Sequence, residues 1–185
     1  PEIWIAVAET LGIPELRRTT RDEPNYDLLM RQRLAILDEH ELTMTAIEKV
    51  ISTLSPLPGA LEFLNDLREM SQVIILSDTF EQFGRPFMRQ LGMPTLFCHR
   101  LIVENDRITD FELRQVDQKR QAVEAFRTLN YRIVAAGDSY NDTGMLLAAD
   151  AGFFIHAPPA IAAQVPQFPV THSYAELKAA IETST

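Results

Sequence analysis

Ile133-Val134-Ala135-Ala136-Gly137-Asp138-Ser139-Tyr140-Asn141-Asp142 is the stretch whose reading decides the fold. Two β-branched residues and two small ones run into a glycine, which is the make-up of a short strand buried in a parallel sheet. Gly137 permits a sharp turn, and two carboxylates and a carboxamide follow within the next five residues. A buried strand that delivers two acids into one loop is costly unless something cationic sits there. Oxygen-only ligands of this type suit a hard divalent ion such as magnesium. The competing reading is an ordinary strand-to-helix turn in which the Asp or the Ser caps the helix. The added Asn141-Asp142 pair favours the functional reading.

The composition is that of an ordinary globular protein. At 185 residues the chain is one domain, or one domain carrying an insertion, with room for a sizeable core. Hydrophobic residues make up 46% and charged residues 23%, and no apolar run approaches the roughly 20 residues that span a bilayer. A net charge of −9 argues against nucleic acid as a partner. Cys98 is the only cysteine, so no internal disulfide forms, and a reducing cytoplasm is the expected setting. The four histidines are scattered without metal-ligand spacing, so no zinc site is expected. The chain begins at Pro1 and enters the amphipathic stretch Ile3 to Val7 with no strand ahead of it. The start of the natural polypeptide is therefore expected to lie upstream.

Working outward, the first block is helical. Residues 2–11, 25–38 and 43–54 read as helices, the last with Thr43 as N-cap, before Pro56-Leu57-Pro58-Gly59 breaks the pattern. Strands and helices then alternate: a helix over 59–70, a buried strand at 73–76, a helix over 79–91. A hairpin over 96–104 and 107–114 turns at Asn105-Asp106. A helix over 117–130 opens at Asp117 as N-cap, the quoted strand follows, then a helix over 141–149, a strand at 152–155 and a helix over 173–183. Such alternation predicts an α/β fold with a parallel sheet covered on both faces. Residues 1–55 would form a helical cap and 56–185 the α/β core.

Ligands of open α/β sheets bind beyond the C-terminal strand ends. Two of those ends are polar here: the Asp138 loop, and Ser77-Asp78-Thr79 after the strand at 73–76. The Ser77 hydroxyl could hydrogen-bond a phosphate oxygen, or simply cap the next helix. Lys119 and Arg120 stand in the first turn of their helix, where a cation opposes the macrodipole by about 0.3–1 kcal/mol. A nearby anion would reverse that sign; otherwise the two side chains point into solvent. A hydroxyl, a lysine and an acidic loop at successive element edges together suit a phosphate and its magnesium.

These motifs resemble the haloacid dehalogenase-type phosphatases. Their pattern places a Ser or Thr at the end of the second core strand (Ile-Ile-Leu-Ser77 here), a Lys early in a later helix (Lys119) and a Gly-Asp-x-x-x-Asp loop (Gly137 to Asp142). Within the superfamily the chain is most similar to phosphoserine phosphatases, and above all to bacterial bifunctional phosphoserine phosphatase/homoserine phosphotransferases. These share Leu-Ser-Asp-Thr-Phe and Gly-Asp-Ser-Tyr-Asn-Asp-Thr. The resemblance implies a parallel Rossmann-like sheet with a small helical cap inserted after the first strand. It also implies that an Asp-x-Asp or Asp-x-Glu segment, whose first Asp accepts the phosphoryl group, lies before Pro1. That strand belongs between those at 72–76 and 132–136.

For the whole protein the resemblance implies magnesium-dependent hydrolysis of phosphoserine through an aspartyl-phosphate intermediate. Homoserine can replace water as the acceptor, and the setting is serine biosynthesis. Lys119 and magnesium would neutralise the transferring oxygens, while Ser77 and Asn141 hold them; Asp138 would ligate the metal, with Asp142 beside it. Arg33 would meet the substrate carboxylate and Glu2 its amino group, with Tyr26, Met30 and Asp78 lining the site. Arg33 could instead be an exposed salt-bridge residue. Rival readings are a phosphatase for another small phosphorylated metabolite, and a non-catalytic module that binds phosphate or a protein. The partner is a small phosphorylated amino acid, not a nucleic acid or a membrane, and a homodimer is compatible with the chain.

Overall fold

A computed structural model describes residues 2–20, 22–23 and 25–184. In chain order the elements are α1 (Ile3–Leu11), α2 (Tyr26–Glu39), α3 (Met44–Ile51), α4 (Ala60–Met70), β1 (Ile74–Phe80), α5 (Glu81–Gln90), β2 (Thr95–Glu104) and β3 (Arg107–Glu112). They continue with α6 (Gln118–Thr128), β4 (Val134–Gly137), α7 (Thr143–Ala148), β5 (Ala151–Ile155), α8 (Pro159–Ala162), β6 (Val170–Thr171) and α9 (Tyr174–Ser184). The chain divides into two compact units, Pro1–Pro58 with Asp78–Arg114, and Gly59–Ser77 with Gln115–Thr185. The helical block at 1–55 falls in the first unit, together with 78–114.

In the first unit the helices start where capping chemistry lets them. The Asn25 side chain accepts from Leu28 N–H at 3.0 Å to open α2, and Thr43 accepts from Ala46 N–H at 3.1 Å to open α3. The turn between β2 and β3 holds Asn105 and Asp106 at φ 48° and 64°, a left-handed pair that these residue types tolerate and that tight antiparallel hairpins need. That turn also caps α3 from a distance: the Asp106 carboxylate accepts from Thr45 N–H at 2.9 Å. Val7, Leu29, Leu37, Ile47, Phe80 and Phe83 form the buried interior. Their burial is the principal favourable contribution to this unit's stability.

The second unit holds the parallel sheet, in the order β4-β5-β6. Register runs from Val134 opposite Ala151 to Gly137 opposite Phe154. Val123, Ala135, Met145, Leu146 and Phe154 make its core, against which Leu76 and Ile133 pack. The short β6 and α8, and a 3-10 turn at Pro14–Arg17, carry no strong sequence pattern and were not expected.

Three local expectations change. The strand at 73–76 runs on through Ser77 to Phe80, and α5 begins only at Glu81, because Thr79 and Phe80 suit an extended chain and β1 heads a second sheet, β1-β2-β3. β1 is thus a member of the hairpin's sheet, while among the described residues β4 pairs with β5 in the other. Asp117 stands at the N-cap of α6 with φ 51°, but its side chain caps nothing; it pairs with Arg120 instead. β4 is an edge strand among the described residues, so only Ala135 of its four residues is fully buried.

Candidate active site

The loop after β4 is built around one carboxylate. Asp142 Oδ2 accepts three hydrogen bonds: from Asp138 N–H at 2.9 Å, Ser139 N–H at 3.0 Å and Ser139 Oγ at 2.9 Å. Oδ1 receives the Lys119 ammonium at 2.7 Å. Asp142 is 5% exposed and Lys119 7%. Each charge is therefore removed from water, and only mutual pairing and the loop donors make that tolerable. Gly137 is required by close approach: a Cβ there would overlap the Asp142 side chain. The two adjacent cations part company. Lys119 turns inward, whereas Arg120 stays exposed between Asp117 and Glu124.

Asp138 behaves differently from Asp142. Its side chain is exposed at the C-terminal end of β4, and among the described residues it accepts no hydrogen bond. A single free carboxylate at a strand end fits magnesium, which keeps several waters and takes further ligands from substrate phosphate. An all-protein cage does not fit: among the described residues no group of three His, Cys, Asp or Glu side chains could hold a metal. Asn141 is exposed, with its carboxamide against the Ser139 hydroxyl, whose one proton is given to Asp142.

Ser77 lies inside β1 and does not cap α5, whose N-cap is Phe80. Its carbonyl accepts from the Gln118 carboxamide at 2.5 Å. Gln118, 5% exposed and next to Lys119, thus ties the middle of β1 to the start of α6. No local sequence signal marked Gln118, because a first-turn glutamine is ordinarily solvated.

In the first unit Arg33 is buried, not an exposed ion-pair residue. Its Nη2 donates to the Arg18 carbonyl at 2.7 Å, Nη1 to Met30 Sδ at 3.5 Å, and the guanidinium carbon sits 4.6 Å from the Trp4 ring centre. Its Nε is buried without a hydrogen-bond acceptor. Burial lowers its pKa from the ordinary guanidinium value to about 10, with Tyr26 and Glu2 opposing the shift. A buried cation short of acceptors is arranged to receive an anion. Arg31, two residues away, is the exposed one and pairs with Asp27. Met30 is fully buried. The Tyr26 hydroxyl donates to the Asp78 carbonyl at 2.8 Å. Glu2 is exposed just before α1. His99, which the sequence did not single out, is buried beside Asp78.

No helix of the described residues is long and apolar enough to cross a membrane. Residues 2–150 match the family model of haloacid dehalogenase-like hydrolases. A protein of Pseudomonas syringae pv. tomato named phosphoserine phosphatase is 62% identical over 179 residues, which is 96% of this chain and 76% of that protein. Phosphoserine phosphatase ThrH of Pseudomonas aeruginosa is 59% identical over 96% of this chain and 87% of its own. Among solved structures, a substrate-bound phosphoserine phosphatase complex gives a TM-score of 0.79 at 22% identity, over 98% of this chain and 90% of that one. That likeness bears on the fold alone.

Proposed function

We propose that this chain, which belongs to the haloacid dehalogenase-like hydrolase family, is a magnesium-dependent phosphatase acting on phosphoserine. The observation that carries the reading is the buried Lys119–Asp142 pair beside the free Asp138 carboxylate at the end of β4. A second support is the name shared by two relatives at 62% and 59% identity.

In this reading Lys119 Nζ, held by Asp142, donates to an oxygen of the transferring phosphoryl group. The Ser77 hydroxyl and the Asn141 carboxamide hold the remaining oxygens. Asp138 would hold magnesium, with Asp142 behind it as organiser of the loop. Bound there, magnesium supplies positive charge against the phosphoryl oxygens. The acceptor is the first aspartate of the Asp-x-Asp or Asp-x-Glu segment that the family pattern places ahead of Pro1. As its carboxylate oxygen bonds to phosphorus, the bond from phosphorus to the serine oxygen breaks, and that oxygen takes a proton from the second acid of the same segment to leave as the serine hydroxyl. Water then cleaves the acyl phosphate, or homoserine takes the phosphoryl group.

Residues 1–55 act as the specificity-bearing cap, and 56–185 as the catalytic core. Arg33 receives the substrate carboxylate, Tyr26 and Met30 shape its surroundings, and Glu2 or Asp78 serves the amino group. A net charge of −9 supports a small-molecule substrate over nucleic acid.

The test is phosphate release from L-phosphoserine by the full-length gene product, with magnesium and with a chelator. Asp138→Asn should lower turnover by about 100-fold or more and weaken the response to magnesium. Undiminished turnover by that variant, or in chelator, would sink the reading.

A further inference from the structure

His99 lies on β2, 4% exposed, and both of its ring nitrogens are engaged. Nδ1 accepts from the Arg114 backbone N–H at 3.2 Å. Arg114 is itself anchored, through Nε to the Cys98 carbonyl at 2.9 Å and Nη2 to Glu81 at 3.3 Å. An acceptor role for Nδ1 leaves the proton of the neutral ring on Nε2. Nε2 faces Asp78 Oδ1 at 3.6 Å. The separation exceeds a hydrogen bond, yet it places an N–H dipole from a buried ring against a half-buried carboxylate. The carbonyl of the same Asp78 accepts from Tyr26, whose ring centre lies 5.9 Å from that of His99. Burial and the Asp78 charge push the Tyr26 pKa up, so the phenol stays a donor. Arg33 acts on the same phenol in the opposite sense. Tyr26 thus ties α2 to the Asp78 main chain, and Arg33 follows on the same helix, so one unit carries the carboxylate and the guanidinium that an α-amino acid zwitterion complements.

We propose that His99 is a positioning residue that holds the Asp78 carboxylate to receive the α-ammonium group of the substrate. The proposal rests on the phosphoserine reading and deepens it. His99 does not transfer a proton: it is buried, its Nδ1 is occupied by a main-chain donor, and its Nε2 already carries hydrogen. Its work is to fix one side chain.

The two amide replacements separate the two nitrogens. His99→Asn keeps an acceptor near the Nδ1 position and loses the donor toward Asp78; His99→Gln keeps a group near the Nε2 position. His99→Asn should raise KM for phosphoserine about tenfold with kcat within about threefold, and His99→Gln should restore KM to within about threefold. Neither should change KM for 3-phosphooxypropionate, the same molecule with hydrogen in place of the ammonium. Unchanged KM for phosphoserine in His99→Asn, or equal losses on both substrates, overturns the proposal. Should the variants not fold, the imidazole nitrogen-15 spectrum of the wild-type protein decides: an Nε2–H tautomer supports the arrangement, and an Nδ1–H tautomer overturns it. A wild-type protein that leaves phosphoserine intact overturns the functional reading itself, which is a separate result.

Discussion

The Lys119 ammonium lies 2.7 Å from Asp142 Oδ1, with both side chains buried and 23 residues apart in sequence. The two partners are not equivalent. Asp142 also anchors three donors of its own loop, whereas Lys119 brings the one side-chain charge that balances it. Asp142→Ala should therefore cost about 3–5 kcal/mol, because it strands a buried cation and frees the loop. Lys119→Met should cost less, about 1–3 kcal/mol, since Asp142 keeps its other donors. Urea denaturation of both variants gives the order, and a larger loss for Lys119→Met would contradict it.

Gly137 should tolerate no side chain. An added Cβ meets the Asp142 side chain, which four hydrogen bonds hold in place. Gly137→Ala should cost about 1–3 kcal/mol of stability. It should also depress phosphoserine turnover by more than the stability loss explains, measured at a temperature where the variant is fully folded. Wild-type turnover would show that the loop can shift without consequence.

Arg33 should trade stability for recognition. Its guanidinium is buried with an unsatisfied Nε. Arg33→Met should raise the melting temperature by about 2–4 °C, because an isosteric apolar chain removes an expensive desolvated charge. The same variant should lose the thermal stabilisation that millimolar phosphoserine gives the wild type. A lower melting temperature would mean that the contacts to Trp4 and the Arg18 carbonyl outweigh desolvation.

The pH dependence follows from the same group. Burial lowers the folded-state pKa of Arg33 to about 10, well below its ordinary value. The folded chain thus releases this proton before the unfolded chain does. The stability linked to Arg33 is full above the ordinary guanidinium pKa and is lost as pH falls through about 10. Binding has the opposite sense, since a carboxylate needs the protonated form. KM for phosphoserine should rise as pH climbs through about 10 in the wild type, and stay flat there in Arg33→Met. Matching profiles would remove Arg33 from carboxylate recognition.

Much of this molecule is written locally. The helix starts at Asn25 and Thr43, the left-handed turn at Asn105-Asp106 and the Gly137-Asp138 exit from β4 follow from capping, turn chemistry and strand composition within a few residues. These preferences need no distant partner, so the sequence by itself determined the alternating elements, the α/β class and the place of the acidic loop. Tertiary structure decided which of several chemically equal residues enter the interior. Lys119 is buried and Arg120 is not; Arg33 is buried and Arg31 is not; Asp142 is enclosed while Asp138 stays free. Neighbours in sequence have the same composition and nearly the same propensity. What separates them is the direction each side chain takes from its helix or loop, and whether a partner far along the chain waits there. His99 and Gln118 became visible for the same reason: their roles are defined by Asp78 and by the Ser77 carbonyl, 21 and 41 residues away, and no local pattern encodes such a meeting.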